Sequence, residues 1–493
     1  MKLIFSLLVG FFSFSTASAD AIVDPALENF LNGQSLQKYT KVIVMLEVPK
    51  TNIPVPYRYQ RRAVVDYLQR ITVAAAQKFQ TVALSTEQSR QDIQVKEIFW
   101  INLTMAATVT PTGVRELAKA PGVLAIYTNK KIVYPRSGFI AADDPSKVPY
   151  QYGATGLDKV IAEFPKLDGT GVLVGHIDTG VDGNHPALKG KVHQFFDGKK
   201  IAPPSDSDSH GTHTAGTILG GNRTNILIGV APNAKLVSAG FLRDLDEILR
   251  GMQWMLDPDG NPATDDAPKM VSNSWRVWHD SGMEVGPLYR AVSSWEAAGI
   301  VPVFAGGNEG PRDRTLGHPS QHTHTMSVAA TGPDGKPAGF SSRGPGTHEG
   351  KEVQKPDIAA PGVDVLSSIP GARYSKLSGT SMATPQVAGA IALLIQANAR
   401  LTPPQIRDIL RNSALPLDGQ AAGTWNNVLG FGKMNIYQAV KAVLGAARPA
   451  RLESFLSGLI PGFNSPNLWH QEPKADALIP FSWDDSTSAD LPF

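Results

Sequence analysis

The sequence of 493 residues carries a formal net charge of +2, is 42% hydrophobic and 18% charged, and contains no cysteine. This composition is that of a globular chain with room for more than one domain. The near-neutral charge gives no electrostatic footprint for nucleic acid, so we predict no such partner. The lack of cysteine excludes disulfides, thiolate catalysis and Cys-ligated zinc.

The N-terminus has the pattern of a secretory signal. Lys2 provides a positive charge, residues 3–14 are largely apolar, and Ala17-Ser18-Ala19 has the small-residue spacing of a cleavage site. We therefore predict that residues 1–19 are removed and that the mature chain is secreted, to the periplasm or the extracellular space. A membrane anchor is the alternative, but the apolar run is short for a span, and no later segment is long enough either.

Residues 20–140 have the pattern of a small α+β unit. KVIVMLEV reads as a strand, residues 61–94 as one or two helices, residues 97–109 as a second strand, and PTGVRELAKAPG as a helix that precedes a third strand. Alternation of this kind favours a sheet with helices on one face. The stretch 135–152 is polar and contains prolines, so we expect an exposed linker.

Beyond the linker, apolar strands alternate with amphipathic helices, which predicts an α/β fold with a mostly parallel sheet flanked by helices. We place this second domain at residues 141–446. Residues 447–493 are rich in proline and end in an acidic run, so we expect a disordered or loosely packed arm. A second propeptide or a sorting segment is the alternative for this arm.

Three motifs in the second domain supply the groups of an acyl-transfer site. VGHIDTGVDGNHP contains Asp178, DSHGTHTAGT contains His210, and SGTSMATPQVAGAIALLI places Ser381 at the start of an apolar helix. A serine needs a base to take its proton, an imidazole can do so near neutral pH, and a carboxylate can orient that imidazole. FAGGNEG adds Asn308 after a strand, and its amide and the Ser381 N–H could stabilise an oxyanion.

The order of these motifs and their wording resemble the subtilases, the subtilisin-like serine peptidases of family S8, over about residues 153–444. GVAPNAKL, FSSRGP and KPDIAAPG add to the resemblance, and residues 253–275 are most similar to the bacillopeptidase F branch. The resemblance implies a serine endopeptidase that acts on protein or peptide substrates. It also implies that residues 20–140 are an inhibitor I9-type propeptide, which acts as an intramolecular inhibitor and is removed by self-processing.

The family motif HGTHxAG makes the first histidine catalytic, which selects His210 over His213. The resemblance also implies that substrate adds as a strand beside residues 272–275. Gly317, in LGHP, matches the glycine that leaves the specificity pocket open, so we expect cleavage after large apolar residues. The substrate-binding residues predicted in this way are Ser272, Ser274, Trp275, Arg276, Glu309 and Gly317.

Two other functions remain open at this stage. One is a catalytically silent subtilase fold that serves as a binding scaffold. The presence of all four groups of the predicted site argues against it. The other is a processing protease specific for basic residues, against which Arg276 at the rim of the cleft argues. We expect the protein to be a monomer.

No cofactor is required for the predicted chemistry, but structural calcium has to be considered. The family's common calcium ligand, an aspartate after His-Pro, is Ala187 here, and the usual calcium loop carries Arg223 and Ile226. We therefore expect that common site to be lost. Four aspartates in DPDGNPATDD could be a calcium loop without EF-hand spacing or a solvated acidic loop, and we favour the second. They are Asp257, Asp259, Asp265 and Asp266.

Overall fold

The computed structural model describes residues 20–35, 38–134, 146–222, 224–277 and 285–447, together with Phe481 and Trp483. The predicted signal, most of the linker, Arg223 and most of the C-terminal arm lie outside the described residues. Within the described ranges, no helix combines the length and apolarity needed to cross a membrane.

Residues 20–134 form an α+β unit with a five-stranded sheet, as predicted, and are called the N-terminal unit below. The helix Arg61–Ala83 buries Val64, Leu68 and Ile71, whose spacing of three or four residues places them on one face. The strands, in their order across the sheet, are Ile22–Val23, Val123–Thr128, Thr40–Leu46, Thr104–Val109 and Ile93–Phe99. The other helices are Pro25–Leu27 (3-10), Glu28–Leu31, Glu87–Asp92 and Pro111–Lys119.

The prediction of a single strand over residues 97–109 was wrong, because the chain reverses there and forms an antiparallel hairpin. Leu103 has a φ of 55° in the reversal. The Oε1 atom of Gln253, in the next unit, accepts hydrogen bonds from the backbone N–H groups of Trp100 (2.7 Å) and Ile101 (3.3 Å). Gln253 thus satisfies two N–H groups that, in a continuous strand, would have donated to the backbone of the neighbouring strand.

Residues 146–447, called the large unit, contain a seven-stranded sheet in which every neighbouring pair is parallel. This confirms the predicted α/β fold. In their order across the sheet the strands are Ile358–Pro361, Met326–Thr331, Val301–Ala305, Met270–Asn273, Leu173–Ile177, Lys235–Ala239 and Val192–Phe196. The central strands are almost continuously buried, since helices cover both faces of the sheet.

The helix that begins at Thr380 is buried from Thr380 to Ile395 and packs against several strands of this sheet. The helices of the large unit are Tyr150–Thr155, Leu157–Glu163, His210–Leu219, Leu245–Leu256, Gly286–Ala297, Thr380–Ala397, Pro403–Asn412 and Ile436–Ala447. Two hairpins complete it, Gly346–His348 with Lys351–Val353 and Val365–Ile369 with Arg373–Leu377.

The N-terminal unit shares one hydrophobic core with the large unit. Phe99 and Ile101 of the former lie in the same buried cluster as Met252 and Trp295 of the latter. The Ile101 carbonyl also accepts a hydrogen bond of 2.6 Å from the Ser294 hydroxyl. The first unit therefore covers the helices that carry Met252 and Trp295.

Two aromatic residues of the C-terminal arm lie where these units meet. The Phe481 N–H donates to the Pro56 carbonyl at 2.9 Å, and the Phe481 ring meets that of Tyr67 edge to face. The Trp483 Nε1–H donates to Ser294 Oγ at 3.0 Å, and its ring lies under the Arg290 guanidinium. The arm, for which we expected disorder or loose packing, thus contacts both units at these two residues.

Candidate active site

Asp178 and His210 form a buried pair at the carboxyl edge of the large sheet. Asp178 directly follows the strand Leu173–Ile177, and His210 begins a helix. The Asp178 Oδ1 atom lies 2.6 Å from His210 Nδ1, while Thr214 Oγ1 donates to Oδ2 at 3.1 Å. The carboxylate is fully buried, so its charge acts on the imidazole with little screening by water.

This pairing shifts the pKa values of both groups. Burial opposes the charged form of Asp178, but His210, with His176 and the Thr179 N–H, more than offsets it and lowers the pKa of the carboxyl group. Burial likewise opposes the charged form of His210, but Asp178, with Asp208 and Asp206, more than offsets it and raises the pKa of the imidazole. The carboxylate therefore favours the imidazolium that forms when His210 accepts a proton.

His176 is a neighbour that the sequence analysis did not single out. Its Nε2 atom lies 3.8 Å from Asp178 Oδ2 and 2.8 Å from Thr214 Oγ1, and its Nδ1 atom lies 2.9 Å from Ser238 Oγ. Burial lowers the pKa of His176, which favours the neutral ring. The sequence signal that could have identified His176 is the alternation of side chains along a strand, which places positions 176 and 178 on the same face.

Ser381 lies in the first turn of the helix Thr380–Ala397. Its Oγ–H donates to the Ser274 carbonyl at 3.3 Å, and its own carbonyl accepts from Ser274 Oγ at 2.9 Å. Within the part of the chain that the structure describes, no hydrogen bond joins Ser381 to His210. The His210 Nε2 atom is buried and has no hydrogen-bond partner. Contacts between nucleophile and base are often loose until substrate binds.

Asn308 is fixed by Thr380, whose N–H and hydroxyl both donate to the Asn308 Oδ1 atom, at 3.0 and 2.9 Å. A Cβ placed on Gly379 would lie 3.3 Å from Asn308 Nδ2 and 3.6 Å from the Ser381 backbone nitrogen. Two donors thus approach a single point that only a glycine leaves empty. This geometry suits the binding of a developing oxyanion.

A strand of the N-terminal unit, Ile132–Val133, occupies the cleft beside this site and is called the cleft strand. It pairs antiparallel with Arg276–Val277, just beyond the residues 272–275 predicted to bind substrate. On its other side the Ile132 N–H donates to the Arg243 carbonyl at 2.8 Å. The Tyr134 ring then meets the His210 ring edge to face, at 6.2 Å between centroids.

The predicted substrate-binding residues differ in accessibility. Ser272 and Trp275 are each only 1% exposed, and Trp275 packs edge to face on Phe304, so neither side chain is available to substrate in this structure. Ser274, equally buried, is hydrogen-bonded to Ser381 as described above.

Arg276, Glu309 and Gly317 lie together at the predicted specificity pocket. Arg276 forms an ion pair of 2.5 Å with Glu309. A Cβ on Gly317 would lie 3.0 Å from Arg276 Cδ and 3.2 Å from Arg276 Cβ. The aliphatic stem of Arg276 therefore covers the surface that Gly317 leaves open.

His213, one turn beyond His210, has a structural environment. Its Nε2 atom lies 3.0 Å from the Val365 carbonyl and 3.1 Å from the Ser375 carbonyl, so an Nε2–H would join the two strands of that hairpin. Burial lowers the pKa of His213 to about 3. This environment agrees with the choice of His210 as the base.

The loop expected to have lost the common calcium site receives a lysine ammonium. Lys191 Nζ donates to the carbonyls of Leu219 (2.7 Å), Gly221 (2.5 Å) and Pro232. Ala187, where the family aspartate would be, is buried. These contacts put a positive charge beside the loop, which supports the expected loss without testing it.

The aspartates of the acidic loop divide into two sets. One ligand oxygen from each of Asp257, Asp259 and Asp266 lies within 4.8 Å of the others. Asp265 is instead exposed and pairs with Lys269 at 3.5 Å. The loop thus brings three of the four carboxylates together.

The model of the subtilase family matches residues 169–432. Bacillopeptidase F of Bacillus subtilis is 33% identical over 426 residues, which cover 78% of this chain but only 29% of that longer protein. Subtilisin E of the same species is 31% identical over 356 residues, covering 68% of this chain and 83% of subtilisin E. Serine protease AprX, also from that species, is 32% identical over 339 residues, 62% and 73% of the two chains.

Proposed function

Because the chain belongs to the subtilase family of serine peptidases, we propose that it is a secreted endopeptidase made as a zymogen, with the N-terminal unit as its inhibitor. The observation that carries this proposal is the cleft strand, which lies hydrogen-bonded between Arg243 and Arg276 and leads Tyr134 onto His210. A peptide substrate would need the same backbone groups.

The proposed reaction uses the four groups named from the sequence. His210 takes the proton of Ser381 Oγ as that oxygen attacks the substrate carbonyl carbon, and Asp178 stabilises the imidazolium. Asn308 Nδ2 and the Ser381 N–H donate to the carbonyl oxygen as it gains negative charge. His210 then returns the proton to the leaving amine, which departs from an acyl-enzyme. Water, activated by the same imidazole, hydrolyses the ester and frees Ser381.

Release of the inhibitor requires a cut beyond the cleft strand. Tyr134, the last described residue before the linker, also donates its hydroxyl to the Leu242 carbonyl at 3.0 Å. We propose that the enzyme cuts itself in the linker that follows, residues 135–152. The signal pattern at residues 1–19 supports export.

Substrate selection should depend on Arg276 as well as on Gly317. Large apolar residues before the scissile bond would gain by burial at Gly317, but the Arg276 stem must first move aside. The ion pair with Glu309 cancels much of the charge preference at the rim, which argues against a protease specific for basic residues.

A single replacement tests catalysis and processing together. Ser381→Ala should abolish reaction with a serine-directed fluorophosphonate probe and leave the N-terminal unit covalently attached. The wild-type chain should be labelled and should lose that unit. An unlabelled wild-type chain would indicate the silent scaffold, and a purified Ser381→Ala chain that still matures without another protease would contradict self-processing.

A further inference from the structure

The acidic loop 257–266 brings together carboxylate oxygen atoms that the proposed reaction does not use. Asp257 is 8% exposed, and its Oδ1 atom is buried without a hydrogen-bond partner. A ligand oxygen of Asp257 lies within 4.8 Å of those of Asp259 and Asp266. A buried carboxylate that has an unpartnered oxygen and two further carboxylates close by is costly unless a cation accompanies it.

A cation from the N-terminal unit already touches this loop. The Arg61 guanidinium donates to the carbonyls of Leu256 (2.9 Å), Pro262 (3.3 Å) and Thr264, and its Nη1 atom lies 3.8 Å from Asp266 Oδ1. Three carbonyl oxygens and the nearest carboxylate therefore surround one positive group. Arg61 belongs to the part of the chain that the proposed maturation removes, so its loss would leave these oxygens without their cation.

We propose that this loop is a site for a divalent cation that prefers oxygen ligands, such as calcium, and that Arg61 excludes the ion until the N-terminal unit is released. The three carboxylates, whose ligand oxygens lie within 4.8 Å of one another, are the type of ligand that calcium takes. Asp265 is not a ligand, since its carboxylate points to Lys269. The timing of binding rests on the proposed maturation, whereas the existence of the site does not.

The test uses the full chain carrying Ser381→Ala, which keeps the N-terminal unit in place whether or not self-processing occurs. Terbium is the probe, because the Trp254 indole donates to the Pro258 carbonyl at 3.0 Å and lies beside the loop as a sensitiser. Arg61→Gln should bind terbium at least about tenfold more tightly than its parent. Arg62→Gln, which changes an exposed neighbour, should leave binding unchanged.

The ligand set is tested in the Arg61→Gln background. Asp259→Asn should abolish the sensitised luminescence and Asp265→Asn should preserve it, while calcium should displace terbium. Equal losses in the two variants would show that only general negative charge is sensed and would overturn the site. Equal binding with and without Arg61→Gln would overturn the exclusion by Arg61.

A second measurement covers the case in which Arg61→Gln unfolds the protein. The mature wild-type enzyme, freed of its N-terminal unit, should bind one more calcium ion per chain in equilibrium dialysis than the uncleaved Ser381→Ala chain does. An equal stoichiometry for the two forms would overturn the proposal. Failure of wild-type maturation would instead count against the proposed processing, and the terbium experiment would still decide the site.

Discussion

Thr380 holds the side-chain amide of Asn308 in one orientation, because both its N–H and its hydroxyl donate to the same Oδ1 atom. The amide nitrogen is thereby kept free to donate towards the space next to Gly379. Asn308→Ala should lower kcat by about two to three orders of magnitude with little change in KM, since the lost bond strengthens as the oxyanion forms.

Thr380→Val is the matched variant, because it removes the hydroxyl and retains the backbone donor to Asn308. It should lower kcat by a smaller factor than Asn308→Ala does. Steady-state kinetics on one peptide substrate check both values. A loss in Asn308→Ala that falls mainly on KM would show that the residue positions substrate instead.

Gly379→Ala should reduce turnover by placing a methyl group where the oxyanion is expected. The added Cβ would lie 3.3 Å from Asn308 Nδ2 and so block one of the donors. We expect a fall in kcat of at least about tenfold, the scale of one impaired donor. The thermal midpoint should be measured alongside, and loss of activity only through unfolding would contradict this explanation.

Activity should fall as the pH drops through a midpoint above 6.5, the ordinary pKa of histidine, because a protonated His210 cannot accept the Ser381 proton. Burial lowers the pKa of His210, while Asp178, and less strongly Asp208 and Asp206, raise it to give a net increase. Asp178→Asn removes the largest opposing charge, so the midpoint should move to lower pH.

NMR titration of the His210 ring in the Ser381→Ala chain, with and without Asp178→Asn, measures this shift directly. His185 provides an internal control, because burial lowers its pKa and the charge that opposes this shift is Asp182 rather than Asp178. A His210 midpoint below 6.5 in the parent, or one unaffected by Asp178→Asn, would contradict the assignment of the pair.

Arg276→Gly should improve the acceptance of large apolar residues before the scissile bond. Without the stem over Gly317, kcat/KM for peptides with Phe or Leu at that position should rise by roughly tenfold relative to Ala, the scale of added apolar burial. Glu309→Gln removes the ion pair and leaves the stem, so it should not reproduce the gain. An identical gain in both variants would assign the effect to charge.

Trp483→Ala should weaken the docking of the C-terminal arm on the large unit. It removes the hydrogen bond to Ser294 and the contact with Arg290, so we expect the uncleaved Ser381→Ala chain to lose about 1–3 kcal/mol of unfolding free energy. Trp483→Phe keeps a ring without the N–H and should show an intermediate loss. Denaturant unfolding checks the order, and unchanged stability in both variants would mean that the contact contributes nothing.

The sequence predicted most of the site because its groups occupy ends of regular elements. Asp178 follows a strand, and Ser381 begins a helix, so their placement follows from local pattern. His176 was overlooked because a histidine in an apolar strand has no distinctive spacing. The contact between Thr380 and Asn308 spans 72 residues, and no short-range pattern predicts which residue will orient an amide.

In the fold, too, features that depend on local pattern were predicted and features that depend on long-range contacts were not. Parallel strands and buried helices were predicted from apolar periodicity, whereas the reversal at residues 100–103 was not. Its N–H groups are satisfied by Gln253, about 150 residues further along the chain. Contacts of that range depend on how the two units meet, which hydrophobic patterning within either unit does not encode.

The contact made by Phe481 and Trp483 also bears on protein synthesis. A ribosome makes the chain from its N-terminus, so the N-terminal unit and the whole large unit precede these two aromatic residues. Pro56 and Ser294 are therefore available as docking points long before their partners emerge. The two units could therefore pack together before the arm docks, and a chain truncated before Phe481 would lack this contact.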